Sequence, residues 1–377
     1  MNILLYLVIN IVVVGVYASL IASYWVGWRM GGWGEVPPFG RETMISVVIA
    51  ARNEEVNIRA CLDSVMAQTY PSSLYEVIVV DDHSTDTTAE IIRSYPKVKL
   101  ILLKDVLTGE LNSYKKKAIE TGVGTATGEL IVSTDADCIV PADWLKAIAA
   151  LYEKKQPVFI AAPVAYHKEK NFLQIFQSLD FMSLQGITGG AINKRMHYMC
   201  NGANLAYKRS VFYEVGGFSG IDSVASGDDM LLMQKISKLY PKKIAFLKSR
   251  SAIVETAAAG SVKEFLNQRI RWASKADKYP DKKMTWILLF VYLFNLYLVV
   301  SFVLAFIYPR LWIMFMLLMI GKIAAEMIFL IPVSRFFHKQ KLLWWFPICQ
   351  PFHIIYTLIA GWLGKFGSYT WKERKVK

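Results

Sequence analysis

Two kinds of apolar pattern alternate along the chain. Met1–Trp28 carries no charged residue, Met284–Pro309 is a second uncharged run, Leu311–Val333 a third apolar run and Leu342–Gly364 a fourth. Each is long enough to cross a hydrocarbon core as a helix. Between the first and second, from about Met44 to Gly260, the apolar runs are short. Ile45–Ala51 is followed by the polar turn Arg52–Glu55 and a helical pattern through Ile58, Leu62 and Val65. Val77–Val80 is followed by Asp81–Asp86 and a helix from about Thr87; a strand near Val98–Leu102 and a helix over Lys115–Thr121 come next. Leu130–Val132 then forms a buried strand that emerges at Asp135 and Asp137. Short β-branched runs alternating with helices predict an open, doubly wound α/β sheet. Ligands of such sheets bind beyond the carboxyl ends of the strands, so the three Asp-bearing loops should converge on one crevice.

The pattern divides the chain into an anchor (1–28), a Gly/Pro-rich connector (Gly31–Gly40), a catalytic-type block (44–260), a helix with linker (261–283), a membrane region (284–364) and a basic tail (365–377). The first run has no basic n-region and is too long for a signal-peptide core, which predicts a retained anchor. Ser261 and Glu264 match a capping box, so a helix starts there and brings Phe265, Gln268, Arg271 and Trp272 onto neighbouring turns. Taken by itself this is equally an interfacial amphipathic helix ahead of the next span. In the third run Lys322 and Glu326 are spaced to pair on one helix face, as a neutralised packing feature or as part of a polar path. Pro347, Gln350, Pro351 and His353 interrupt the fourth. If all four runs span, the tail Lys372–Lys377 falls outside, against the positive-inside rule, so the fourth is expected to be re-entrant or interfacial.

The chain's 54% hydrophobic content and net charge of +13 over 377 residues fit that picture. A positive-inside bias accounts for the charge without nucleic acid as a partner. The four cysteines show neither metal-ligand spacing nor disulfide density, as in a reducing cytosol.

Asp135 and Asp137, one residue apart, form an unpaired negative site unless a cation joins them. Hard oxygen ligands of this kind suit Mg²⁺ or Mn²⁺ shared with substrate phosphates, although turns also collect Asp. The order AARNEE, VVDDHSTD, a Lys cluster before AIETG, STDAD, CNGANLAYKR, SGDDMLL and QRIRW resembles membrane-embedded family 2 glycosyltransferases of GT-A fold, related to cellulose, chitin and poly-N-acetylglucosamine synthases and to ceramide glucosyltransferases. The resemblance covers roughly Ile45–Ala273. It implies that Asp82 contacts the nucleobase of a nucleotide sugar, with Ala51, Glu54, Lys115 and Asp135 around the same donor. It also implies that Asp137, with Asp135, holds the metal on the diphosphate. Gly227, Asp228 and Asp229 stand where the family usually has Thr-Glu-Asp, making Asp229 the implied catalytic base with Asp228 as the neighbouring candidate; the same acidic pair also suits a helix N-terminus. Gln268, Arg271, Trp272 and Asn204 fall to the acceptor and diphosphate side.

The expectation is therefore an inverting, metal-dependent transferase in the inner cell membrane, multi-pass with its catalytic domain in the cytosol. Its donor would be a nucleotide sugar, with UDP favoured, and its acceptor a membrane lipid, a lipid-linked sugar or a glycan. A processive polysaccharide synthase is the enzymatic alternative. The non-enzymatic one is a nucleotide-sugar-binding membrane subunit, for which a base opposite the metal has no use. No paired repeats point to a transporter.

Overall fold

A computed structural model describes residues 3–31, 42–107, 113–222, 224, 226–276, 278–367, 369–371 and 374–376. Most of the Gly/Pro-rich connector (32–40), and Lys372 and Lys377 of the tail, lie outside them. The chain forms two compact units, one of Gly31–His167 with Tyr198–Ala257, the other of Met1–Met30, Lys168–His197 and Ala258–Lys377. The block expected to run unbroken over 44–260 is thus interrupted at Lys168–His197, which belongs with the apolar helices.

After a first helix, α1 (Ile3–Met30), which belongs to the second unit, the sheet unit is built from β1 (Ile45–Ala51), α2 (Ile58–Met66), β2 (Tyr75–Asp81), α3 (Thr88–Arg93), β3 (Val98–Leu102), α4 (Leu103–Val106), α5 (Tyr114–Thr125), β4 (Leu130–Asp135), α6 (Trp144–Lys155), β5 (Phe159–Ala161) and β6 (Val164–His167). It resumes beyond α7 (Phe172–Lys194) with β7 (Leu205–Lys208), α8 (Arg209–Glu214), α9 (Asp228–Leu239), β8 (Ile244–Phe246) and β9 (Val254–Ala257). The main sheet has seven strands in the order β3-β2-β1-β4-β7-β5-β8. Its first four are parallel, as the β-branched runs predict, and β7 enters antiparallel to both β4 and β5. Val47, Val48 and Ile49 of β1 are wholly buried, and α2 packs through Ile58, Cys61, Leu62 and Val65. Such continuous burial requires cover on both faces of the sheet.

The register fixes the site. Ala51 stands opposite Asp81, and Ala50 opposite Asp135, so the carboxyl ends of β1, β2 and β4 are level.

In the second unit, α1 and α12 (Trp312–Phe336) run in the same direction, and α11 (Lys282–Ile307) runs against them. Tyr6 clusters with Ala305 and Leu311, Tyr17 stacks on Phe294 with ring centroids 4.3 Å apart, and Trp28 meets Phe336 edge-on at 5.4 Å. α7 crosses α1 at backbone contact distance: a Cβ on Gly27 would lie 2.1 Å from the Gly190 carbonyl oxygen, and one on Gly190 2.4 Å from that of Tyr24. Only glycine permits that approach, which is the usual way apolar helices pack in lipid. Helices α10 (Val262–Ala273) and α13 (Phe346–Phe366) also belong to the unit. Among the described residues, four helices, Leu4–Met30, Lys282–Ile307, Pro309–Phe336 and Gln340–Phe366, are long and apolar enough to cross a membrane. α10 starts as predicted: Ser261 Oγ accepts from Glu264 N–H at 3.2 Å, while the Glu264 carboxylate reaches back to Gly260 N–H at 3.0 Å.

Candidate active site

The loops after β1 and β2 are laced together. Asn53 N–H donates to Ser84 Oγ at 3.0 Å, Glu54 N–H to Thr88 Oγ1 at 2.8 Å and Glu55 N–H to Asp86 Oδ2 at 3.1 Å. Asp86 also accepts from Thr88 N–H at 3.0 Å, whereas Ser84 is spent on the β1 loop and caps nothing. Asn53 and His83 both have left-handed backbone, at φ 50° and 55°. Residues other than glycine hold that conformation at a cost, and here the reciprocal hydrogen bonds offset it. Asp82 is 3% exposed; its N–H donates to Ala51 O at 2.8 Å, its carboxylate lies 3.0 Å from His83 Nδ1, and Arg52 Nη1 donates to its carbonyl at 2.8 Å. Ala51, Glu54 and Asp82 therefore lie in one pair of hydrogen-bonded loops.

The three adjacent lysines part company. Lys115 Nζ donates to Asp135 Oδ1 at 2.7 Å and sits 3.5 Å from Asp228 Oδ2. Burial works against its charge, but Asp135 and then Asp228 outweigh burial and raise it above the ordinary lysine range. Lys116, 2% exposed, donates at 2.5 Å to the carbonyls of Ile221 and Val224, and Lys117 pairs with Glu120 at the surface. Only Lys115 is therefore in the site. Helical geometry explains this, since consecutive residues point about 100° apart.

Asp228 and Asp229 open α9, behind Gly227 at φ 82°, a conformation that suits glycine. Asp229 accepts from Gly202 N–H at 2.9 Å and from Met230 N–H at 2.7 Å. Gly202 belongs to the NGAN loop, and a Cβ there would lie 3.6 Å from the carboxylates of Asp228 and Asp229 and from Lys115 Nζ. The acidic start of α9, the lysine and the Asp135 strand end are thus brought together.

Asn204, expected on the acceptor side, is wholly buried. Its amide donates to the carbonyls of Pro163 and Ala252, both at 2.7 Å, and accepts from Trp144 Nε1 at 2.9 Å. Asn204→Ala is expected to strip the Trp144 indole N–H and the Ala252 carbonyl of this partner in the core, while the Pro163 carbonyl keeps its bond from Val254 N–H, and to cost about 2–4 kcal/mol, read as a lowered Tm.

Asp135, Asp137 and Cys138 place their donor atoms within 4.8 Å of one another, close enough for one ion. Burial first, then Asp137 and Asp135, push the Cys138 thiol well above its usual range. Cys61 beneath it is pushed up to about 12 by the same causes. The two carboxylates, hard oxygen donors, are the ones that fit a hard divalent ion.

Gln268, Arg271 and Trp272 lie on α10 of the other unit. There the intervening Arg269 takes the buried role: its Nε and Nη2 donate to Asp180 Oδ2 at 3.0 and 2.7 Å, and Nη1 donates to Gln268 Oε1 at 2.6 Å. Its guanidinium also covers the Trp272 ring at 4.2 Å. The sequence signal missed here was Asp180, a lone carboxylate in an otherwise uncharged stretch of α7.

Residues 46–216 match Glycosyl transferase family 2. They are a family 2 glycosyltransferase domain. The chain is 28% identical over 246 residues to the probable glycosyltransferase YdaM of Bacillus subtilis, covering 63% of this chain and 57% of that protein. It is 25% identical over 269 residues to a poly-beta-1,6-N-acetyl-D-glucosamine synthase of Staphylococcus epidermidis, covering 67% and 60%. It thus spans less than two thirds of the length of these curated relatives. A mannosyltransferase from Pyrobaculum calidifontis, PcManGT, solved with GDP-Man and Mn²⁺, superposes with a TM-score of 0.55 at 18% identity, covering 95% of this chain and 99% of that one. That likeness is one of fold, and the family 2 domain is a mixed α/β sheet of GT-A type.

Proposed function

We propose that the chain transfers a sugar, with inversion, from a nucleoside diphosphate sugar to a lipid or glycan acceptor held at the membrane. The observation that carries this reading is Lys115, which touches Asp135 at the end of β4 and Asp228 at the start of α9. It ties a diphosphate-side carboxylate to the pair that offers a base. Asp82, with Ala51 and Glu54 beside it, takes the nucleobase. Asp135 and Asp137 hold Mg²⁺ or Mn²⁺, which when bound neutralises charge on the leaving diphosphate. Asp229, oriented by two backbone N–H groups, is the base for the acceptor hydroxyl. As the acceptor oxygen bonds to the anomeric carbon its proton passes to Asp229, and the bond to the diphosphate breaks on the opposite face. Gln268, Arg271 and Trp272 are assigned to the acceptor and diphosphate side.

A processive synthase is the second reading, favoured by the poly-beta-1,6-N-acetyl-D-glucosamine synthase relative. Membranes containing the protein, incubated with a panel of labelled nucleotide sugars, separate the two: label in a lipid extract supports single addition, label in a high-molecular-mass fraction supports the synthase. Donor binding without transfer to any fraction would leave only the nucleotide-sugar-binding subunit. The basic residues Arg29, Lys282, Lys283 and Arg335 at one end of the bundle of α1, α11 and α12 support a cytosolic catalytic unit through the positive-inside rule.

A further inference from the structure

One side chain organises a face of α10. Arg269 lies one turn beyond Phe265 and one turn before Trp272, and its guanidinium carbon stands 4.7 Å from the centroid of the first ring and 4.2 Å from that of the second. Its Nη1 donates to Gln268 Oε1 at 2.6 Å. A guanidinium has donors only, so the end of the Gln268 amide that meets it is the oxygen, and the NH₂ end is turned away from Arg269. A single group therefore sets the direction of the amide at 268 and backs the indole at 272.

What holds the guanidinium is on α7. Asp180 Oδ2 accepts from Arg269 Nε at 3.0 Å and from Nη2 at 2.7 Å, and the two side chains are each 4% exposed. Two donors of a rigid planar fork on one oxygen fix the position of the plane and its rotation. The other oxygen, Oδ1, accepts from Tyr356 OH and lies 3.8 Å from His353 Nε2, so the carboxylate is itself held from α13. On either side of the ion pair the two helices meet through rings taken in the same order, Phe176 against Phe265 with centroids 5.5 Å apart and Phe181 against Trp272 at 6.1 Å.

Packing alone does not account for the pair. Desolvating two charges costs about as much as their attraction returns, and apolar side chains of similar volume commonly hold two helices as firmly. The rings of Phe176, Phe181, Phe265 and Trp272 on both sides would suit such a replacement. The ion pair supplies what an apolar contact lacks, a defined direction for each donor of the guanidinium.

We infer that Asp180 is a positioning residue for the transfer reaction: through Arg269 it presents the NH₂ of Gln268 to an oxygen atom of a substrate and steadies the Trp272 ring as a plane for a sugar. This rests on the proposed function, in which Gln268 and Trp272 serve the acceptor and diphosphate side. Asp180 and Arg269 touch no substrate in this arrangement. The oxygen that Gln268 meets belongs to the donor diphosphate or to a hydroxyl of the acceptor, and the kinetics separate the two.

One measurement tests position and a second tests function. In full-length protein carrying fluorotryptophan, the fluorine NMR resonance of Trp272 is identified by its loss in Trp272→Phe. It is expected to move in Asp180→Asn, and an unchanged resonance overturns the inference. Asp180→Asn is also expected to lower kcat/KM by about 10- to 100-fold, the effect of roughly an ångström of misplacement. In a Gln268→Ala or a Trp272→Ala background the same change should cost less than about threefold further, because residues that act through one another are not additive. Full additivity in both backgrounds overturns the inference, since a merely structural ion pair would lower all the variants alike. A raised KM for the nucleotide sugar, with weaker binding of the nucleoside diphosphate alone, assigns the oxygen to the donor; a raised KM for the acceptor assigns it there. Should Asp180→Asn fail to fold around an uncompensated Arg269, the double change Asp180→Asn with Arg269→Gln removes both charges and should show the same loss and the same non-additivity. A displaced Trp272 resonance in a protein that transfers no sugar would refute the functional reading and leave the placement of Trp272 by Asp180 standing.

Discussion

Asp137→Asn is expected to lower transfer by at least about a thousandfold, with folding retained. The carboxylates of Asp135 and Asp137 and the Cys138 thiol are described donor atoms close enough to share an ion, and a hard divalent ion prefers the carboxylate oxygens. Removing one hard oxygen ligand at the diphosphate forfeits several kcal/mol of charge stabilisation, and about 4 kcal/mol corresponds to that factor. Chelator should reproduce the loss in the wild-type protein, and added Mn²⁺ or Mg²⁺ should reverse it there but not in the variant. Isothermal titration of Mn²⁺ supplies a readout free of turnover. Full activity in chelator would remove the metal from the reaction.

Asp229→Asn should leave donor binding close to wild type while transfer drops by about 10²- to 10⁴-fold, the usual range for a lost general base. The asparagine can still accept one backbone N–H through its carbonyl oxygen, so the start of α9 survives although the proton acceptor does not. Asp228→Asn acts differently. It withdraws one of the two carboxylates beside Lys115, leaving the lysine to Asp135, and should change KM for the donor more than kcat. A dead Asp228→Asn beside an active Asp229→Asn would move the base by one residue. Single-turnover transfer and equilibrium donor binding on the same preparations distinguish the outcomes.

Local patterns specified much of the architecture because they are enforced at short range. Continuous β-branched runs become strands buried on both faces wherever they fall, and Ser261 with Glu264 starts a helix without help from elsewhere. Parallel strands place their carboxyl ends on one side, so the nearness of Ala51, Asp82 and Asp135 was expected from the alternation of strands and helices with short loops.

What the sequence by itself determined was the four parallel strands β1 to β4, their acidic edge, and the apolar runs that form helices long and apolar enough for a membrane. Only the tertiary structure decided which of Lys115, Lys116 and Lys117 enters the site, because the three differ in nothing but the direction they take from α5. It also gave Asn204 to the core, removed α7 from the catalytic block, and chose Arg269 for the buried pair with Asp180, a residue 89 positions away. The physical reason is common to all four. A side chain's type limits the partners it can satisfy, but a buried charge or amide is assigned by which complementary group the folded chain brings within about 3 Å, and that distance is not written in local spacing.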